Sequence, residues 1–265
     1  MRKFIVFCAA ALMIFSCSPK ERDSFEVKGK VWDLNGYATL TYRDPASMEI
    51  IADTVDLVDG CYCFKGKVSE PTYGQIIFHP EGEITIRSSI ILENALLESL
   101  PNYGFLVSDG QKVRTLRDLE YKGGPNNDFN VAISKSYEYL DDMEKYKGLK
   151  ELMKTMSGCG VDDLEKYIET RKIMEEKYGK AVIKEYLDKQ KEEALKFVLK
   201  HPDVEIAGYY LQQCNANERP LEELEADFAK LTPKVQNCFF SGSVRATIEN
   251  KKEQAAQETA KEAAQ

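Results

Sequence analysis

Tyr121-Lys122-Gly123-Gly124-Pro125-Asn126-Asn127-Asp128 divides this chain into two regimes of hydrophobic periodicity. A Gly-Gly-Pro run punctuates a strand, and the Asn-Asn-Asp that follows is rich in helix-capping side chains. Upstream the period is two. Phe25, Val27 and Val31 share one parity, and Ala38, Leu40 and Tyr42 alternate with Tyr37, Thr39 and Thr41. Ile84, Ile86, Ile90 and Leu92 alternate again, with Ser88 interrupting. Between these runs stand Asn35-Gly36, Asp59-Gly60, Glu81-Gly82 and Asp109-Gly110, pairs suited to tight turns with positive φ. The pattern predicts about seven or eight strands joined as hairpins over residues 25–122, closing as an antiparallel β-sandwich or small barrel.

Downstream the period is that of helices. Asn127 or Asp128 is expected to cap a helix through Val131, Ile133, Tyr137 and Leu140 towards Met156, stopped by Gly158-Cys159-Gly160. A second helix is expected from Val161-Asp162-Asp163, with Tyr167, Met174, Tyr178, Val182 and Tyr186 forming an apolar stripe that Gly179 bends or splits. His201-Pro202 ends it, and Pro202-Asp203 opens a third helix holding Ile206, Tyr209, Tyr210 and Leu211. Shorter helices should follow Pro220 and Pro233. The fold class read from this is α+β, a β domain followed by an all-helical region over residues 126–250. The tail 251–265, rich in Ala, Glu, Lys and Gln, is expected to be a frayed or helical end.

The 265 residues carry a formal charge of −8, and loss of Arg2 and Lys3 with a cleaved leader takes the chain to −10. Such a balance argues against nucleic acid and anionic lipid surfaces as partners. The basic start Met1-Arg2-Lys3 is followed by an apolar run, Phe4 to Phe15, of signal-peptide length. Ile14-Phe15-Ser16-Cys17 resembles the lipobox of bacterial lipoproteins, with a bulkier Phe15 than is usual there. That resemblance implies a signal peptide over 1–16, lipidation (palmitate) at Cys17 and a polar tether over 17–24. The chain would then be anchored in a cell-envelope membrane, outer rather than inner, with its face left open. The acyl chains of a lipoprotein cysteine hold at about 0.8 kcal/mol per buried CH₂.

Cys61, Cys63, Cys159, Cys214 and Cys238 remain once Cys8 and Cys17 are assigned to the leader and the anchor. No pair has C-x-x-C spacing, so neither a thioredoxin-type centre nor a zinc knuckle is encoded. Cys61 and Cys63 should share one face of a strand, too far apart to bridge. All five read as small buried hydrophobes, with a long-range disulfide among Cys159, Cys214 and Cys238 as the alternative. His79 and His201 each precede a proline and read as turn residues, so no metal or cofactor site is expected.

A family resemblance rests on the order of several landmarks. Phe25-Glu26-Val27-Lys28-Gly29-Lys30-Val31 precedes Asn35-Gly36-Tyr37-Ala38-Thr39-Leu40. Asp53-Thr54-Val55, the run Asp59 to Val68 and Glu70-Pro71 come next. Ile91-Leu92-Glu93-Asn94, Gly123-Gly124-Pro125-Asn126, His201-Pro202 and Ala207-Gly208-Tyr209-Tyr210-Leu211 complete the series. Together they resemble the β-rich domain of unknown function, with its helical section, that precedes the thioredoxin fold in many Bacteroidetes lipoproteins. The W-C-x-x-C site of that fold has no counterpart here, since the sole tryptophan, Trp32, stands apart from any cysteine pair. Reductase activity is therefore assigned to no residue.

Three functions are open on these grounds. The leading one is a non-enzymatic, lipid-anchored binding or accessory module with no catalytic residues. The acidic pairs Asp141-Asp142 and Asp162-Asp163 read as solvated helix ends. The second is a partner in thiol–disulfide exchange that acts with a separate thioredoxin-fold protein, with Cys159 as the most exposed thiol. The third is a glycan-binding surface lipoprotein that uses rings among Trp32, Tyr37, Tyr42, Tyr62 and Tyr73.

Overall fold

The computed structural model describes residues 22–31, 35–81, 85–100, 103–108, 111–116, 119–157 and 164–263. Cys17, Trp32, Cys159 and the pair Asp162-Asp163, each singled out above, lie outside these ranges. Ten strands come first: β1 Phe25–Lys30, β2 Gly36–Arg43, β3 Ile50–Leu57, β4 Cys61–Gly66, β5 Thr72–Pro80, β6 Ile86–Leu92, β7 Leu96–Leu100, β8 Tyr103–Ser108, β9 Gln111–Leu116 and β10 Glu120–Lys122. They form two four-stranded sheets, ordered β10-β7-β1-β4 and β3-β2-β5-β6, and a separate β8-β9 hairpin. The architecture is a β-sandwich followed by a helical region, the α+β class that the two periodicities imply.

The alternation holds where it was strongest. Phe25, Val27, Ala38, Leu40, Tyr42, Phe64, Ile76 and Phe78 are all buried in one core between the sheets. The connections differ from a chain of simple hairpins. The Asp59-Gly60 turn has φ of 50° and 74°, both positive as its sequence requires. Yet it carries the chain from the second sheet to the first, with a single Val58–Cys61 bridge across it. β1 pairs antiparallel with β4 but parallel with β7, from Glu26–Leu96 to Lys28–Glu98. A local turn signal specifies the reversal of the chain and not the sheet that receives it, because the burial of each strand's apolar face decides that.

The helices are α1 Pro125–Ser136, α2 Tyr139–Asp142, α3 Leu149–Ser157, α4 Leu164–Lys200, α5 Ala207–Gln213, α6 Leu221–Phe228, α7 Pro233–Asn237 and α8 Gly242–Ala263, with a 3₁₀ turn at Phe239–Ser241. Three expectations about the helices are corrected. The first helix begins at Pro125 with Gly124 as its N-cap, not at Asn127 or Asp128. Its stretch towards Met156 is three helices, because the chain turns at residues 137–138 and 143–148 to bury Leu140, Tyr146 and Leu149 in a cluster with Met174 and Tyr186. The helix expected from Pro202 starts at Ala207, after two turns. Gly179 splits α4 outright, with φ 75° and ψ 152°. His79 is not in a turn but inside β5, its ring stacked 4.5 Å from that of Tyr37. Among the described residues no helix is long and apolar enough to cross a membrane.

A second core joins the helical region to the sandwich. Ile91 points away from the sandwich and packs with Phe129, Ile133, Ile206, Leu211 and Phe240. Its neighbours Ile90 and Leu92 face the sandwich core, so the end of β6 is buried on both sides. Tyr73 of β5 adds edge-to-face contacts with Tyr209 and Phe240 at 5.3 and 4.8 Å.

Candidate functional site

Where the two cores meet, a buried polar cluster forms around Asn126. It is built from the Gly-Gly-Pro-Asn stretch that separates the two periodicities. Pro125 occupies the first helical position, where the missing N–H costs nothing. The next two backbone N–H groups of α1, those of Asn126 and Asn127, have no cap from their own segment. Both donate to Glu93, which arrives from the turn between β6 and β7, at 3.1 Å each. The amide groups of Asn126 and Asn127 also donate to Glu93, at 2.9 Å each. A carboxylate thus sits at a helix N-terminus, where its charge is favoured. Glu93 is only 4% exposed. Burial pushes its carboxyl above the usual carboxylate value, and the amide donors from Asn126 and Asn127 oppose that rise.

The two glycines make this approach possible. Gly123 has φ 105°, and a Cβ there would lie 2.1 Å from the carbonyl oxygen of Leu96. A Cβ on Gly124 would lie 2.3 Å from Glu93 Oε1. Neither position accepts a side chain without displacing the junction.

Asn126, fully buried, reaches a third element. Its Nδ2 donates to Glu205 at 3.2 Å, and its Oδ1 accepts the backbone N–H of Ile206 at 2.8 Å. Glu205 is 6% exposed and pairs with Lys234 Nζ at 2.5 Å. Glu70 accepts the backbone N–H of Phe239 at 2.7 Å, and Asn94 makes two hydrogen bonds to the backbone of Val68. Beside this cluster opens a cleft of about 570 Å³. Arg22, Glu70, Asn94, Asn126, Glu205 and Lys234 are among the residues that line it.

The residues singled out by sequence are distributed otherwise. Cys61 and Cys63 are exposed, which corrects their reading as buried hydrophobes. The parity of β4 turns Tyr62 and Phe64 inward and the thiols outward. Cys214 and Cys238 are buried free thiols. Burial pushes Cys214 up to about 11 and also raises Cys238, so neither is an activated nucleophile. Of the described rings proposed for sugar stacking, only Tyr37 and Tyr73 are on the outer face of the β3-β2-β5-β6 sheet, and each is packed on other rings. Tyr42 and Tyr62 are in the sandwich core, Tyr73 is packed on Tyr209 and Phe240, and Tyr37 stacks on His79. Asp141 is held by Lys150 and Tyr186 at 2.5 and 2.6 Å.

Sequence reasoning passed over Glu93, Asn126 and Glu205 as a set. One signal marks the position of Glu93 alone: three consecutive apolar residues, Ile90-Ile91-Leu92, indicate a strand covered on both faces, and Glu93 follows directly. No known family model, curated protein or solved structure matches the chain.

Proposed function

We propose that this chain is a lipid-anchored, non-enzymatic binding or accessory module of the cell envelope, attached through Cys17 and presenting the junction cleft close to the membrane. One observation carries the reading. Arg22 lies in the cleft wall, and it follows Cys17 by only five residues. Five fully extended residues span at most about 18 Å, so an acyl group on Cys17 keeps the cleft near the bilayer surface.

A binding role is supported by the state of the carboxylates. Glu93 and Glu205 are engaged by amide and ammonium donors, an arrangement that holds the shape of the cleft wall. The partner best matched to the resemblance is a thioredoxin-fold envelope protein acting in trans.

The test has two arms, both with the full-length chain in its own envelope. Labelled palmitate should enter the wild type and not Cys17→Ser, and the variant should leave the membrane fraction. A photo-crosslinker at exposed Ser69, which also lines the cleft, should capture one reproducible species. The same group at exposed Lys172 on α4 should not. Palmitate in the Cys17→Ser protein would sink the anchor. Equal capture from both positions would sink the cleft as the binding surface.

A further inference from the structure

The Cys61-Tyr62-Cys63 segment of β4 is an exposed dithiol on the outer face of an edge strand. We propose that it is a two-coordinate thiolate site for a soft monovalent cation of the Cu(I) class.

Geometry excludes the usual fate of two neighbouring thiols. Same-face positions i and i+2 of a strand lie about 6.6 Å apart, whereas a disulfide needs Cβ atoms about 3.8 Å apart. A metal held linearly between two sulfurs needs them only about 4.6 Å apart, twice a metal–sulfur distance of about 2.3 Å. Each side chain closes that gap by leaning about 1 Å towards the other, with no change in the strand. The pair is therefore too wide to oxidise within itself and well spaced to clasp one ion.

The surroundings select the ion. Thiolates favour soft metals such as Cu(I) and Zn(II), but zinc takes four ligands. Among the described residues no group of three or more His, Cys, Asp or Glu side chains is placed to hold a metal. A two-coordinate d¹⁰ cation is the thiophilic class that two sulfurs satisfy. On binding, two S–H bonds break, two metal–sulfur bonds form and two protons leave to solvent; the metal keeps its oxidation state. The resulting bis-thiolate carries one negative charge. Across the ladder, Lys28, paired with Glu98 at 3.0 Å, stands opposite Cys63 and Lys30 opposite Cys61 on the same outer face, where Cys63 Sγ also lies 3.9 Å from Glu26 Oε1. Both lysines also line a groove of about 490 Å³ that runs past the two thiols and leaves them open to a carrier.

The experiment titrates the full chain, without oxygen, with Cu(I) in competition with bathocuproine disulfonate. One Cu(I) per monomeric chain should be withheld from the chelator. Cys61→Ser and Cys63→Ser should each weaken retention by about 100-fold or more, since even an outer-sphere partner of a metal typically contributes 10- to 100-fold. Both substitutions fall at exposed positions, so folding is retained; Cys214→Ser should bind as the wild type does. X-ray absorption of the loaded protein should give two sulfur neighbours. Retention that survives the double Cys61→Ser/Cys63→Ser change overturns the site, as do a third or fourth ligand and loading that proceeds only with dimerisation.

Discussion

Asn126 is the residue on which the junction turns. Its removal takes one donor from each of two buried carboxylates, Glu93 and Glu205, which keep their other partners, and leaves the buried backbone N–H of Ile206 without its acceptor, a loss of about 1–3 kcal/mol. Asn126→Ala should therefore lower stability by about 1–3 kcal/mol in urea unfolding. Glu93 adds a pH signature. Burial lifts its folded carboxyl above the unfolded value, so between those two values the folded state binds more protons. Stability from this group falls as pH rises through that window. The difference between wild-type and Glu93→Gln midpoints, followed from pH 4 to 8, should show that falling component in the wild type alone. The thiols give a further check. Iodoacetamide on the native protein should modify Cys61 and Cys63 quickly and Cys214 and Cys238 only on unfolding, read by mass spectrometry. None of this pairing was legible from the residues. Glu93 and Asn126 are 33 positions apart and Asn126 and Glu205 are 79 apart, and no periodicity connects them.

At the scale of elements, the sequence is most informative where one face of a segment meets one core. β1, β2 and β5 alternate because each has one face on the sandwich, and the inward residues of β1 and β2, Phe25, Val27, Ala38, Leu40 and Tyr42, are legible from the sequence. β6 breaks the rule at Ile91 because the helical region covers its far side. The start of α1 was misplaced for a related reason. Asn127 and Asp128 have capping side chains, but the cap comes from another element, so local chemistry put the N-cap three or four residues too far along. Gly124→Ala should disturb that entry by about 1–3 kcal/mol, the usual cost of overpacking, with loss of helical circular dichroism at lower temperature. Gly179 was legible as a break in α4. Its ψ of 152° at positive φ suits glycine almost alone, so Gly179→Ala should cost about 1–3 kcal/mol although nothing lies within 4 Å of the added methyl.

At the scale of the molecule, the sandwich and the helical region share the polar junction, the Tyr73 ring contacts and the Glu70–Phe239 hydrogen bond. They should unfold together. Hydrogen exchange of the β2 and β5 amides, read by mass spectrometry, and exposure of Cys214 and Cys238 to a thiol reagent should share one urea midpoint. In Asn126→Ala the two midpoints should separate, with the helical thiols exposed first. The division of the chain into a β part and an α part could be read from periodicity alone, but their fusion could not. That depends on a few long-range polar contacts, which leave no repeating mark in the sequence.

The Glu70–Phe239 bond joins residues 169 positions apart. It therefore sets an order of events during synthesis. The sandwich has all its strands once Lys122 has emerged, but α1 then begins against Glu93 with no helical core beneath it. That core closes only when the Phe239–Ser241 turn arrives, near the end of the chain. A polypeptide assembled in this sequence keeps its helical half open until that turn is made, and the half then closes as one unit.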